Sequence, residues 1–118
     1  MDQRLINGIA LFNQKEFFEA HEVIEELWRE TNGKLKNFYR GLIQAAAACH
    51  HLKRGTFKGG LEVCKSAIAL LRPYTPVTLG VLVQKLIDDL KVSFEQFEKL
   101  DSQKKIDLEN FPFPSIQF

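Results

Sequence analysis

From Lys34 to Arg54 the chain reads KLKNFYRGLIQAAAACHHLKR, and this stretch restricts the fold more than any other. Phe38, Leu42, Ala45, Cys49 and Leu52 form one stripe at helical spacing, while Ile43, Ala46, Ala47 and Ala48 carry apolar character almost all the way round. A helix of that kind has to be packed on more than one side, and its alanines permit close approach by the neighbours. It is expected to be the central element of a helical body.

The stretch before it, Phe17 to Trp28, reads FFEAHEVIEELW and has two contrasting faces. Phe17, Ala20, Ile24, Leu27 and Trp28 share the apolar one, and Glu19, Glu22, Glu26 and Glu30 lie opposite. His21 and Glu25 sit four apart on a shoulder with Phe18 and Trp28 nearby, where a packed neighbour would enclose them.

Leu5, Ile9 and Phe12 predict a short first helix ending near Asn13, and Asn13 followed by Glu16 has capping-box spacing for the next helix. Asn32-Gly33 supplies a stop. Gly55-Thr56 breaks the pattern before a fourth helix over Phe57 to Leu71, which ends ahead of Pro73. Tyr74 to Pro76 reads as a tight connection. A last helix is expected from Thr78 to Lys99, with Leu82, Leu86, Leu90, Phe94 and Phe97 facing the core. The charges between Asp101 and Glu109 read as solvated surface or a short helical turn. The tail, NFPFPSIQF, is apolar but holds two prolines, so it is expected in extended form across the body or a partner.

The expected fold is all-α, a compact bundle of about five helices. A single domain covers 1–118, with 1–99 as helical body and 100–118 as polar segment and proline-containing tail. An internal echo at an offset of 40 residues, with Phe17, Ala20, Glu22 and Val23 answered by Phe57, Gly60, Glu62 and Val63, suggests antiparallel hairpins of a tetratricopeptide-like kind.

The formal net charge of +1 gives no strong global pull toward nucleic acid or an anionic membrane. The signs are segregated nonetheless. Residues 1–33 carry three Lys or Arg against seven Asp or Glu, and residues 34–72 carry eight against one. Attraction between neighbouring helices, or between the subunits of a homodimer, is the first consequence. No apolar run is long enough to span a membrane, the amino terminus lacks a secretory pattern, and Cys49 and Cys64 have no metal-finger spacing. Buried thiols and cytoplasmic residence are expected.

A helix bearing His21 and Glu25, set against Gln44 and His51 of the central helix, would enclose an imidazole pair, a carboxylate and an amide. Two histidines and a carboxylate suit a divalent metal such as zinc, and His21, Glu25 and His51 are the candidate ligands. They suit a hydrogen-bonded structural network equally well. His21-Glu22 lacks the second histidine of a HExxH metalloprotease motif. Glu22, Glu25 and His21 are the candidate catalytic groups, and His21, Glu25, Trp28, Gln44, His51 and Arg54 the candidate ligand-binding set. Trp28 reads as a core or interface aromatic whose indole N–H finds a partner, with a ligand-facing lid as the alternative. His50 points with Tyr39 toward another side and reads as surface or interface, with a helper role in the site as the alternative. Cys49 lies in the apolar stripe and is expected to be inert. Arg40, Lys53, Arg54 and Lys58 surround Gly55 without any phosphate-loop sequence and without interleaved aromatics, so a solvated or subunit-facing charge patch is expected and nucleic-acid binding is not.

Two segments, ALFNQKEFFEAHEVIEELW and FYRGLIQAAAACHHLKRGTFKGGLEV, together resemble a family of bacterial, archaeal and plastid proteins known as the domain-of-unknown-function 309 family. The matching positions are Phe17, Ala20, His21, Glu22, Glu25 and Trp28 in the first, and Gly41, Gln44, His51, Arg54 and Gly55 in the second. Thr56 stands where members commonly have asparagine, and either residue can cap a helix. The resemblance implies an all-helical fold and supplies no established activity, although a metal-dependent hydrolase has been suspected from the HE-containing motif. Three readings follow: a small helical protein whose His21, Glu25, Gln44 and His51 organise the core and bind a small ligand; a metal-dependent hydrolase in which Glu22 or Glu25 activates water; and a protein-interaction module that docks partners on its hairpins and FPFPSIQF tail.

Overall fold

A computed structural model, which describes residues 1–99 and 111–118, contains five α-helices among the described residues. They are α1 (Gln3–Asn13), α2 (Phe17–Glu30), α3 (Lys36–Arg54), α4 (Phe57–Leu71) and α5 (Val83–Lys99). The side chain of Phe97 and the polar segment Asp101 to Glu109 lie outside the described residues. α1 packs on α2, α2 on α3, and α3 on α4, so α3 is central, as its alanine-rich circumference requires. Ala45, Ala46 and Ala48 are fully buried together with Leu42, Phe38 and Cys49.

The turns that end α1 and α3 are built alike, 40 residues apart. After α1, Lys15 N–H donates to Phe12 O at 2.9 Å and Glu16 N–H to Leu11 O at 2.9 Å, with Lys15 at φ 65°. After α3, Gly55 N–H donates to Leu52 O at 3.1 Å and Thr56 N–H to His51 O at 3.0 Å, with Gly55 at φ 79°. Both are Schellman turns, in which one left-handed residue lets the chain satisfy the last carbonyls of the helix. Lys15 holds that conformation at some cost in strain, whereas Gly55 holds it freely. Lys53 Nζ reaches across to Lys15 O at 3.0 Å and ties the two turns together.

Two expectations are corrected here. Asn13 does not cap α2, whose N-cap residue is Glu16 with no side-chain cap bond. It is the last residue of α1, and its side chain is engaged by the tail instead, as described below. The last helix does not begin at Thr78. Val77–Thr78 (β1) and Val81–Leu82 (β2) pair antiparallel as a small hairpin, and α5 starts at Val83. Leu79 and Gly80 at the tip have φ of 51° and 78°, a left-handed pair that an α-helix does not tolerate and a two-residue hairpin requires.

The tail crosses the body in extended form. Asn13 Nδ2 donates to Ile116 O at 2.9 Å and its Oδ1 accepts from Ile116 N at 2.8 Å, so one amide imitates a neighbouring strand. Leu82 N–H donates to Gln117 O at 2.8 Å, and the buried Ser93 hydroxyl donates to Pro112 O at 2.6 Å. Phe113 lies on Phe17 with ring centroids 5.4 Å apart. The tail therefore covers its own chain.

Candidate functional site

The α2 residues picked out by periodicity occupy one exposed-to-buried shoulder. His21 Nε2 lies 3.5 Å from Glu25 Oε2, and Arg29 Nη2 donates to Glu25 Oε1 at 2.6 Å. The carboxylate is thus shared between an imidazole and a guanidinium, both on its own helix. The other imidazole nitrogen, His21 Nδ1, is buried and has no hydrogen-bond partner among the described residues.

Trp28 Nε1 is in the same state, so the expected partner for its indole N–H is not found there. Its ring instead carries Lys36, whose Nζ sits 4.3 Å from the ring centroid and donates to Trp28 O and Thr31 O, each at 3.1 Å. Lys36 in this way closes the carboxyl end of α2, where a cation is favoured by the exposed carbonyls.

On α3, the spacing Ala47, His50, His51, Arg54 places four side chains along one edge, one turn apart and adjacent. That edge faces the start of α2 across a groove of about 310 Å³, lined by Phe17, Phe18 and His21 from α2 and by those four residues from α3. Three histidines and an arginine share the groove, and no carboxylate of the described residues lines it. Phe18 and His21 also border a second hollow of about 520 Å³, lined with them by Glu22, Val23, Glu25, Glu26 and Arg29. The acidic and basic surfaces of this molecule therefore meet at a ridge made of His21 and Phe18. Gln44 and Trp28 line neither hollow.

His51 is held from below. Its Nδ1 is 2.7 Å from Thr56 Oγ1, and Thr56 Oγ1 lies 3.2 Å from His51 O. One proton assignment satisfies both contacts: the threonine hydroxyl donates to the carbonyl and Nδ1–H donates to the hydroxyl. In neutral His51 the remaining nitrogen, Nε2, then carries the lone pair. Gly59 makes room for the ring, since a Cβ there would lie 3.1 Å from Cε1 and 3.2 Å from Nδ1 of His51. At Gly60 a Cβ would come within 3.0 Å of the His51 Cβ. The first turn of α4 is accordingly a flat shelf for the imidazole.

His50 stands beside Phe18, ring centroids 5.8 Å apart. Burial pushes its protonation below the usual imidazole range, and Arg54, His51, Lys53 and His21 add to the effect in that order. Cys49, one residue earlier, is fully buried, and burial drives its thiol well above the ordinary range. Cys64 is likewise buried and pushed up to about 12, so neither sulfur is a nucleophile near neutral pH.

Of the candidate metal ligands, His21 and Glu25 are neighbours and His21 also lines the groove with His51, while Glu25 and His51 line different hollows. No group of three or more His, Cys, Asp or Glu side chains suited to holding a metal ion occurs among the described residues. Sequence reasoning turned His50 away from the site, although the 47, 50, 51, 54 spacing that aligns it with His51 and Arg54 was present. No helix of the described residues is long and apolar enough to cross a membrane.

Residues 5–63, which take in most of α1, all of α2 and α3 and the start of α4, and hence both walls of the groove, match the family described as Domain of unknown function (DUF309). A protein of Aquifex aeolicus, named only as an uncharacterised protein, is 43% identical over 58 residues, 48% of this chain and 17% of its own length. The uncharacterised protein YpuF of Bacillus subtilis is 30% identical over 95 residues, 78% of this chain and 55% of its own length. The chain thus spans about half or less of the curated relatives it matches. On the extent of that family match, and on the all-helical body in which the matched residues are found, the chain belongs to the domain-of-unknown-function 309 family.

Proposed function

We propose that this chain is a small-ligand-binding helical protein of the cytoplasm, and that it takes an anionic molecule in the groove between α2 and α3. One observation carries the reading: His21, His50, His51 and Arg54 line a single hollow that no carboxylate of the described residues lines. Arginine supplies a permanent forked donor, and imidazoles supply donors that can be charged when an anion demands it. Similar turns at an offset of 40 residues also support the tetratricopeptide-like arrangement of hairpins, with a homodimer as the arrangement that would use the segregated charges.

The metal-dependent hydrolase is the second reading. The contact between His21 and Glu25 favours it, because a histidine and a carboxylate on one shoulder are two ligands or a ligand and a base. In that case Glu22 or Glu25 would activate water, and His51 would have to swing across the ridge.

Isothermal titration of chelator-stripped protein with small carboxylates, phosphates, zinc and manganese separates the two. The anion reading expects saturable binding of an anion that falls by about tenfold or more in Arg54→Ala, with no requirement for metal. Saturable metal binding lost in His21→Ala, with no anion binding before metal is added, would replace it with the second reading.

A further inference from the structure

We infer that the groove receives a phosphomonoester of a flat organic group, with the phosphate held by Arg54 and the histidines and the flat group laid on Phe18. The inference rests on the anion reading above and deepens it by naming the ligand class. Three features of the groove argue for it.

The first is charge. A carboxylate would be balanced by Arg54 alone, leaving three imidazoles without a task. A phosphomonoester is a dianion just above its second pKa of about 6, close to the ordinary imidazole pKa of about 6.5, so one arginine and one protonated histidine match it. Its three terminal oxygens also offer more acceptor sites than a carboxylate has. His51, fixed by Thr56 and seated on Gly59, presents Nε2 as the nitrogen left to meet an oxygen once protonated.

The second is the groove's apolar half. Phe18 is 55% exposed, an unusual state for a large aromatic, and it stands on the ridge beside His50. With Phe17 and Ala47 it gives the groove a wall that an inorganic ion would leave uncovered. A hollow of about 310 Å³ falls at the small end of organic-ligand sites and is roomier than one oxyanion needs.

The third is the response of His50 to what enters. The groups around it are Arg54, His51 and Lys53 on its own helix and His21 on α2. All of these are cationic or can become so. The nearby carboxylates Glu22 and Glu25 line the other hollow, and Glu25 is in contact with His21 and Arg29. Burial and these neighbours disfavour the protonated form of His50, and a dianion placed among them opposes that effect. Binding near neutral pH is therefore expected to take up a proton.

The test is calorimetric titration of the full chain with phenyl phosphate, inorganic phosphate and benzoate, each in two buffers of different ionisation enthalpy at pH 7. Phenyl phosphate is expected to bind at least about tenfold tighter than either of the others. Its binding should take up a proton in the wild type and not in His50→Gln. Phe18→Ala, at an exposed position that leaves the core intact, should erase the preference for phenyl phosphate over inorganic phosphate. Benzoate binding as tightly as phenyl phosphate, or a preference unchanged by Phe18→Ala, overturns the phosphomonoester assignment and leaves the anion site standing. Failure of all three probes to bind overturns both.

Discussion

The seat of the tail and the groove between α2 and α3 both border on Phe17, and they treat polar groups in opposite ways. Along the tail, polar groups are answered whether buried or half-exposed: both ends of the Asn13 amide meet Ile116, the fully buried Ser93 hydroxyl meets Pro112, and Asp89 Oδ2 accepts from Lys85 Nζ at 2.6 Å and Ser115 N at 3.4 Å. Along the α2 shoulder that runs past the groove, His21 Nδ1 and Trp28 Nε1 are buried and unanswered among the described residues. A satisfied polar network specifies structure, whereas a buried nitrogen without a partner lowers stability until something binds it. The tail contacts close within the chain, and the α2 shoulder beside the groove leaves two nitrogens unanswered among the described residues.

That contrast can be broken most forcefully at the ring the two regions share. Phe17 is 2% exposed, packs edge-on against Phe12 at 5.1 Å, carries Phe113 of the tail and also lines the groove. Phe17→Ala should cost about 3–5 kcal/mol in urea unfolding, and anion binding should weaken with it. Unchanged stability would mean that the tail and the groove do not meet through this ring.

A smaller effect separates the regions. Asn13→Ala leaves the N–H and C=O of Ile116 without their partner and should lower stability by about 1–3 kcal/mol, while anion affinity in the folded protein stays as it was. A loss of affinity comparable to that of Arg54→Ala would show that the tail belongs to the site.

Acid should expose the other half of the contrast. His50 binds its proton less readily in the folded protein than in the unfolded chain, so the unfolded state holds more protons at mildly acid pH. The His50 contribution to stability is complete above the ordinary imidazole pKa and is lost as pH falls through the lower, folded-state value. His50→Gln should flatten the acid limb of a stability-against-pH curve, and saturating anion should flatten it in the wild type. A curve that keeps its slope in the variant would assign the pH dependence elsewhere.

The smallest expected change sharpens the point by its size. Trp28→Phe removes a buried N–H that has no partner among the described residues, so stability should move by no more than about 1 kcal/mol, with a rise as the favourable case. Deleting a polar group is then costly in the tail seat and nearly free in α2. A loss as large as that of Asn13→Ala would mean that the indole N–H has a partner after all.

Most of the helical body was legible in the sequence because helical periodicity is a local signal. The alanine-rich stretch announced α3 as the central helix, and Phe57 to Leu71 was read with its observed bounds. The hairpin was hidden because two-residue strands have no period to detect, and its turn carries leucine where asparagine, aspartate or glycine would have signalled it. The Asn13 error has a related cause. An amide can bond a backbone three residues away or 103 residues away with equal ease, and spacing reports only the first. Of the site, the His21–Glu25 pair was readable because both lie on one helix. The groove was only half readable, because it needs the edge of α3 to be set against the start of α2, and the pairing of His50 with Phe18 is decided by packing.

Leu79 offers a handle for protein engineering. It holds a left-handed backbone, φ 51°, on a side chain that is 41% exposed, beside the exposed Val77 and Leu82. An L-residue with a branched apolar chain gives up about 1–2 kcal/mol in that conformation and recovers little by burial. Leu79→Asn would create the Asn-Gly pair that such a loop favours. The substitution lies outside both the groove and the tail contacts, so it should yield a more heat-tolerant and less adhesive preparation of the protein with its chemistry intact.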